Sequence, residues 1–417
     1  MSAINVLSDA PASWLRDHLH FSRYVDPLVS VITDPATQTP FTIGIFGAWG
    51  SGKTTLLQMI EDRLTLKYDE RFICVNFNPW AFRQEPNMLG PMLNALRDRL
   101  NEDPKRRFVD IAKRIGFIAL NLATDELLKR FTASDVSIEK IGKVSQQYAE
   151  ARGIVESQIN QLRRTLQSEA DRLKEKGSTL VFLIDDLDRC EPDQIIDLLE
   201  SVKLFLDLKN VFVLLAIAKD VVDRGVSIKY RPFGFSDQNL SVISDEYLDK
   251  MVQLPLYLLP LAAAEVDYFI KAVRPASLTD DHVSLLQHIV ARNPRKIKRV
   301  LNLLTVTEAI IAATPGLGLR SDLVTRLVVL RIQSPDLFTD VVRRPSLLLA
   351  LELLYRGDLL LDKDLDFRAR FGAEAQQVQD FAKNYYGRYD FLAPLFKDAS
   401  FDSATGSLPA YLSMMGG

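Results

Sequence analysis

Gly47-Ala48-Trp49-Gly50-Ser51-Gly52-Lys53-Thr54 follows the pattern glycine, four residues, then Gly-Lys-Ser/Thr. The apolar run Phe41-Thr42-Ile43-Gly44-Ile45-Phe46 precedes it and reads as a buried strand. Thr55-Leu56-Leu57-Gln58-Met59-Ile60 follows with the apolar spacing of a helix. A glycine-rich turn from strand to helix lets successive backbone N–H groups converge on an oxyanion. Gly47, Trp49, Gly50, Ser51, Gly52, Lys53, Thr54 and Thr55 are therefore the expected phosphate contacts. Lys53 is expected to reach the β- and γ-phosphates, and the Thr54 hydroxyl to ligate Mg²⁺.

Such a loop needs a carboxylate for the metal and another for the attacking water. Thr179-Leu180-Val181-Phe182-Leu183-Ile184 is a buried-strand run that ends in Asp185-Asp186-Leu187-Asp188-Arg189. Asp185 is placed to hold Mg²⁺, and Asp186 to polarise water. Arg189 has two competing readings: a charge sensor or a finger reaching a neighbouring subunit's nucleotide, or an ion pair with Asp186, Asp188 or Glu191. Farther on, Asn293-Pro294-Arg295-Lys296-Ile297-Lys298-Arg299 opens a helix. Arg295, Lys298 and Arg299 are candidates to lean on a γ-phosphate and balance transition-state charge, with Arg295 the expected catalytic cation; the same charges also read as a solvated basic helix face or as a nucleic-acid phosphate contact.

Composition limits the class. The chain has 417 residues, 47% hydrophobic and 25% charged, which fits a globular protein of two or three domains. Lys plus Arg total 51 against 54 Asp plus Glu, a net charge of -3, so there is no bulk drive toward nucleic acid or anionic membrane. Cys74 and Cys190 lie in or beside apolar runs and read as buried thiols of a reducing compartment. Met1–Ala12 lacks the charged start and apolar stretch of a secretory signal, and no run approaches a spanning helix. The expected location is cytoplasmic, with no membrane partner.

Along the chain, Leu7–Asp34 reads as one or two helices, Arg71–Asn78 as a strand stopped by Pro79, and Met88–Leu100 as a helix. Strand signals vanish from Asn101 to Gly177, where Phe108–Phe131 and Ile138–Lys176 have helical spacing. They return at Thr179, at the continuous run Val211–Ala218 and at Met251–Leu258, with a helix over Asp193–Leu206 and a loop over Lys229–Gln238. After Pro260 the pattern is helical. The expected domains are 1–100 with 178–260 as an α/β domain, 101–177 as a helical insertion, 261–395 as a helical domain and 396–417 as a loose tail.

Five blocks, in this order, resemble the KAP family of P-loop NTPases. They are Gly44–Thr55, Phe77-Asn78-Pro79-Trp80, Phe182–Cys190, Tyr247–Pro255 and Asn293–Asn302. The resemblance implies an α/β P-loop fold with a mostly parallel sheet in the order 5-1-4-3-2. It also implies an extra strand between the loop strand and the acidic strand, a place that Phe72–Asn78 fills in the sequence. It further implies ATP rather than GTP, Mg²⁺ as cofactor, and switching rather than pumping. Many bacterial members act in exclusion of or defence against phage. Many members carry membrane helices where this chain has a charged insertion, so it is similar to soluble members. Pro79 stands where the family more often has a small residue. Ala218 stands where the family commonly puts a polar one, which leaves Lys219 and Asp220 as candidates there.

The function expected is thus a Mg²⁺-dependent ATP hydrolase acting as a molecular switch, in bacterial conflict by family analogy. A protein partner or effector would take the output, in a chain able to form homo-oligomers. Two rivals are a non-catalytic ATP-dependent assembly module and a nucleic-acid-dependent motor. The motor predicts steep salt dependence and lacks supporting charge or interleaved aromatics.

Overall fold

The computed structural model describes residues 6–12, 14–85, 88–100, 160–161, 163–205, 207–231, 237–314 and 319–414. The helices expected over 108–131 and most of 138–176 lie outside them. The chain divides into two compact units, Pro11–Leu259 and Met1–Ala10 with Pro260–Gly417.

The first unit is built on a five-stranded sheet of β1 (Phe41–Gly47), β2 (Phe72–Phe77), β3 (Thr179–Ile184), β4 (Val211–Ile217) and β5 (Leu254–Leu258). The order is β2-β3-β4-β1-β5 and every pairing is parallel. This is the expected order. As that order has it, β4 stands between β1 and β3 and β2 takes the edge, while in the chain β2 falls between β1 and β3 as Phe72–Asn78 was expected to. The side chains explain the choice: all seven residues of β4 are buried, whereas β2 exposes Asn76. Pro255, which has no N–H to donate, stands in edge strand β5.

Alternation along the strands divides the core in two. Val181 and Leu183 of β3 join Ile43, Ile45, Phe212 and Leu214 on one face. There they meet α1 (Ser22–Thr33) and α2 (Lys53–Tyr68) through Val25, Val29, Met59 and Ile60. Leu180, Phe182 and Ile184 join Val213, Leu215 and Ile217 on the other. That face is covered by α3 (Leu89–Arg99), α4 (163–175), α5 (Pro192–Phe205), α6 (Lys219–Tyr230) and α7 (Asp237–Met251). Leu166, Ala170 and Leu173 of α4 are part of this core. The end of the stretch expected as an insertion therefore belongs to the α/β unit. Each buried Leu of this kind is worth about 1.5–3 kcal/mol of transfer free energy.

The second unit is all helical among its described residues: α8 (Ala263–Val273), α9 (Asp280–Ile289), α10 (Pro294–Ala313), α11 (Ser321–Gln333), α12 (Pro335–Arg343), α13 (Pro345–Arg356), α14 (Asp364–Phe371), α15 (Ala375–Tyr385), α16 (Leu392–Lys397) and α17 (Leu408–Met414). Leu323, Val324, Leu327 and Val328 make α11 its buried centre. Arg326, on the same helix, is buried too and donates to the carbonyls of Pro394, Leu395 and Asp398 at the end of α16. Burial pulls its guanidinium below the usual range. The last stretch is not loosely attached: Phe401, Leu408, Tyr411 and Leu412 are buried, and Tyr411 Oη accepts from Arg320 N at 2.8 Å.

Candidate active site

Because all five strands run one way, their C-terminal ends share one edge of the sheet. Gly47, Asn78, Asp185 and Ala218 stand there, at the ends of β1, β2, β3 and β4. Asp185 continues the ladder past β3, its N–H donating to Phe77 O at 3.1 Å.

The loop after β1 has the backbone its glycines allow. Gly50 lies at φ 81° and Gly52 at φ 105°, the left-handed region that favours glycine. A Cβ at Gly52 would also collide with the ring of Phe21, the N-cap residue of α1, which closes the back of the loop. Gly52 is the N-cap of α2 and has no side chain to satisfy the first N–H groups of the helix. Those donors face the loop as an anion cradle. Ser51 Oγ is sealed from solvent inside it without a hydrogen-bond partner. Trp49 is 61% exposed at the loop tip.

Lys53 is only 7% exposed. Its Nζ donates to Gly47 O at 2.8 Å and Ala48 O at 3.3 Å, and stands 3.9 Å from Asp188 Oδ2. The Thr54 side chain hydrogen bonds Asp185. Burial pushes the Asp185 carboxyl up, reinforced by the charges of Asp186 and Asp188 and opposed by that bond and by the Asp186 N–H. The sequence-predicted pair Thr54 and Asp185 is therefore in contact.

Asp186 takes a different position from Asp185. It turns the chain at φ 57°, and both carboxylate oxygens are engaged. Asn78 Nδ2 donates to Oδ2 at 2.9 Å, and Arg189 Nε stands 2.9 Å from Oδ1. The Arg189 guanidinium also lies over the Trp80 ring, 5.5 Å from its centroid. The Phe-Asn-Pro-Trp block and the acidic strand end thus form one latch, with Asn78 capping the 3-10 turn Pro79–Phe82 by accepting from Trp80 N. Of the two readings of Arg189, the ion pair with Asp186 is the one observed.

Sequence reasoning gave Asp188 no role of its own. It is 13% exposed, beside Lys53, and lines a cleft with Ala48, Trp49, Arg189, Ala218, Asp220 and Val221. It stands on the 3-10 turn Leu187–Arg189, which follows the left-handed residue Asp186. At the end of β4, Lys219 turns away to Asp223 and Asp245, at 3.0 and 2.9 Å. Burial lowers its ammonium, but those two acids outweigh it and hold it above its usual range. Asp220 is the residue that faces the cleft.

Arg295 lies in the helical unit, on α10, where it pairs with Asp9 at 3.4 Å. Lys298 Nζ donates to Ser8 O at 3.0 Å, and Arg299 is exposed.

A glycine cradle and an acidic strand end on one edge of a parallel sheet define a P-loop NTPase domain. The family model for the KAP family P-loop domain matches residues 21–311, and the chain belongs to that family. It is 24% identical over 246 residues to the phage T7 exclusion protein of Escherichia coli, covering 54% of this chain and 31% of that protein. It is 25% identical over 166 residues to an uncharacterized protein of Methanocaldococcus jannaschii, covering 33% of this chain and 86% of that one. A shorter match, 35% over 48 residues, is to the human kinase D-interacting substrate of 220 kDa, covering 12% of this chain and 3% of that protein. Among solved structures, the ORC2 protein of Aeropyrum pernix aligns over 99% of this chain and 97% of its own, at 12% identity and a TM-score of 0.39. No helix among the described residues is long and apolar enough to cross a membrane.

Proposed function

We propose that this chain is a Mg²⁺-dependent ATP hydrolase that works as a nucleotide-controlled switch. The observation that carries the reading is the contact of Thr54 with Asp185 at the mouth of a glycine cradle holding the buried Lys53. A buried hydroxyl without a partner, Ser51 Oγ, fits a phosphate-lined loop. The donor set also fits magnesium, a hard cation that takes hydroxyl and carboxylate oxygens. Thr54 and Asp185 are the residues that would hold it. Bound there, magnesium would supply charge neutralisation at the β- and γ-phosphate oxygens.

The remaining work falls to this chain's own groups. Lys53 brings a cation to the phosphates, and the N–H groups of 50–55 orient them. A carboxylate must take a proton from the attacking water. Asp186 is the carboxylate named by sequence order. Asp188 is favoured by position, since it sits beside Lys53 while Asn78 and Arg189 engage both oxygens of Asp186. In this reading Asp186 holds the strand end in place and Asp188 is the base. Arg295, in the helical unit, is the cation proposed to report the γ-phosphate.

A role in exclusion of phage or defence against it is supported by the likeness to the exclusion protein, of which the match spans 31%. A protein effector, homo-oligomer formation and a cytoplasmic location complete the proposal. So does a division into an α/β domain, an insertion and a helical domain.

The test is ATP binding and turnover on purified protein. Lys53→Ala is expected to weaken Mg·ATP binding by tenfold or more, and Asp188→Asn to keep binding but lose turnover. Unchanged binding in Lys53→Ala sinks the nucleotide reading. Wild-type protein that binds ATP without turning it over leaves the assembly module as the function.

A further inference from the structure

At the opposite end of the sheet from the glycine cradle, a cavity of about 490 Å³ opens beside the first residues of β2 and β3. The two strands start in register there, Phe72 opposite Thr179. Each is six residues long, which at 3.3 Å per residue sets the cavity about 20 Å from the edge that carries Asp185. Two helical layers meet around this end of the sheet: α2 comes from one face, α3 and α4 from the other.

The α2 wall accepts hydrogen bonds. Thr65 Oγ1 donates within its own helix, to Glu61 O at 2.8 Å, so toward the cavity it offers lone pairs. Asp69, the C-cap of α2 at φ 49°, adds an exposed carboxylate. The wall of α3 and α4 donates. Arg99 is the last residue of α3. Arg172 stands in the last turn of α4, and Lys176 N still donates to Arg172 O at 3.2 Å, so the two project from one side. Glu169, one turn back, holds Arg172 Nε at 3.0 Å and fixes the guanidinium. Burial pushes the Cys74 thiol of β2 up to about 12 and the Glu61 charge adds to that, while the Arg99 charge opposes it, as fits a guanidinium directed toward β2. Phe72, Leu100 and Leu173 are buried and form an apolar floor between the walls.

A cation at the carbonyl end of a helix needs no ligand to explain it. Helix ends alone do not require three cations from two helices to converge on one cavity above an apolar floor. A carboxylate is satisfied by one guanidinium, whereas a phosphate monoester carries close to two charges at neutral pH and three strong acceptor oxygens. The floor suits a ring, and the accepting wall suits hydroxyl or N–H donors on it. The volume falls in the lower half of the range of about 300–1,000 Å³ usual for small-molecule sites.

We propose that this cavity binds a phosphate monoester with a hydroxylated, ring-bearing body of nucleoside size, Arg99, Arg172 and Lys176 meeting the phosphate and Thr65 and Asp69 the donors of the body. The site shares no residue with the cradle and does not depend on whether the chain hydrolyses ATP.

Isothermal titration of the full chain tests this, with AMP as the probe and adenosine and inorganic phosphate as its two halves. AMP is expected to bind saturably and at least tenfold more tightly than either half. Lys53→Ala, which disables the cradle, is expected to leave that binding in place. Arg172→Ala is expected to weaken it about tenfold or more, the usual worth of a charge-assisted hydrogen bond. The double variant Arg99→Ala with Lys176→Ala is expected to do the same at two exposed positions with the thermal midpoint unchanged, so that the loss is not one of fold. Absence of saturable AMP binding overturns the proposal, as does binding that all three cation substitutions leave unchanged. Binding lost in Lys53→Ala but kept in the cation variants places AMP in the cradle and overturns it too. Inorganic phosphate held as tightly as AMP reduces the cavity to a site for an adventitious ion only, and adenosine held as tightly as AMP removes the role of the three cations.

Discussion

The amide of Asn78 donates to Asp186 Oδ2 at 2.9 Å, joining the turn after β2 to the acidic end of β3. The other oxygen of Asp186 faces Arg189, which lies over Trp80, two residues beyond Asn78. Two blocks separated by more than a hundred positions close into one latch because β2 and β3 are paired in register, Phe77 opposite Ile184. Asn78→Ala removes one of its donors and the cap of the following turn. Turnover is expected to fall on the order of tenfold, the usual worth of an orienting hydrogen bond beside a metal-holding group, with little change in Mg·ATP affinity. A loss of affinity as large as the loss of turnover would mean that Asn78 shapes the cradle instead.

Asp185, the carboxylate proposed to hold the metal, carries a stability cost that pH exposes. Burial raises the Asp185 pKa in the folded protein, and the charges of Asp186 and Asp188 add to that. An acid raised on folding binds its proton more tightly in the native state, so its penalty is present at neutral pH and disappears as pH falls through the folded value. Asp185→Asn is expected to raise the thermal midpoint at pH 7 while abolishing turnover, and the gain is expected to shrink toward pH 4. A lower midpoint at pH 7 would refute the assignment.

The opposite sign is expected of Glu308. The His282 Nε2 contact at 3.1 Å lowers its pKa, burial opposes this, and the Ser321 hydroxyl at 3.0 Å also lowers it. A depressed carboxylate contributes stability above its unfolded pKa and loses it as pH falls through the folded one. Glu308→Gln is therefore expected to cost stability at pH 7, with the difference closing below about pH 4. Chemical denaturation across pH 3–7 measures this, and a pH-independent difference would contradict it.

Asn210 is the test of the far end of the sheet. Its buried amide donates to Ala170 O at 3.0 Å and Ser178 O at 2.9 Å and accepts from Thr179 Oγ1 at 2.9 Å, with the backbone at φ 64°. Asn210→Gly keeps that backbone but leaves buried carbonyls unpaired, an expected loss of about 2–4 kcal/mol. Asn210→Ala is expected to cost about 1 kcal/mol more, because a Cβ without local hydrogen bonding disfavours positive φ. Urea denaturation gives both values. An alanine variant more stable than the glycine variant would overturn the backbone part.

Much of this was legible in residue order. Gly47–Thr54 between an apolar strand and a helical run specified the cradle, because a glycine-rich strand-to-helix turn has few other uses. The continuous apolar runs at β3 and β4 specified a parallel sheet buried on both faces. The contact of Thr54 with Asp185 follows from those two elements. What could not be read was anything that depended on which strands are neighbours or on how a turn points its side chains. Asp185, Asp186 and Asp188 are equivalent as letters. Only the left-handed turn at Asp186, the register of β2 against β3 and the return of the 3-10 turn direct one acid to Thr54, one to Asn78 and Arg189, and one to Lys53.

The basic block at 293–302 makes the same point. Its charge and helical spacing are local properties and were plain in the sequence. That Asn302, Lys298 and Arg295 meet Leu7, Ser8 and Asp9 is a contact across nearly three hundred residues, and no local pattern encodes it. The glycine loop is a property of eight consecutive residues and needs no partner to be recognised. The division of labour among the acids, and the peptide held by α10, exist only after the chain has folded and brought distant backbone groups within hydrogen-bonding range.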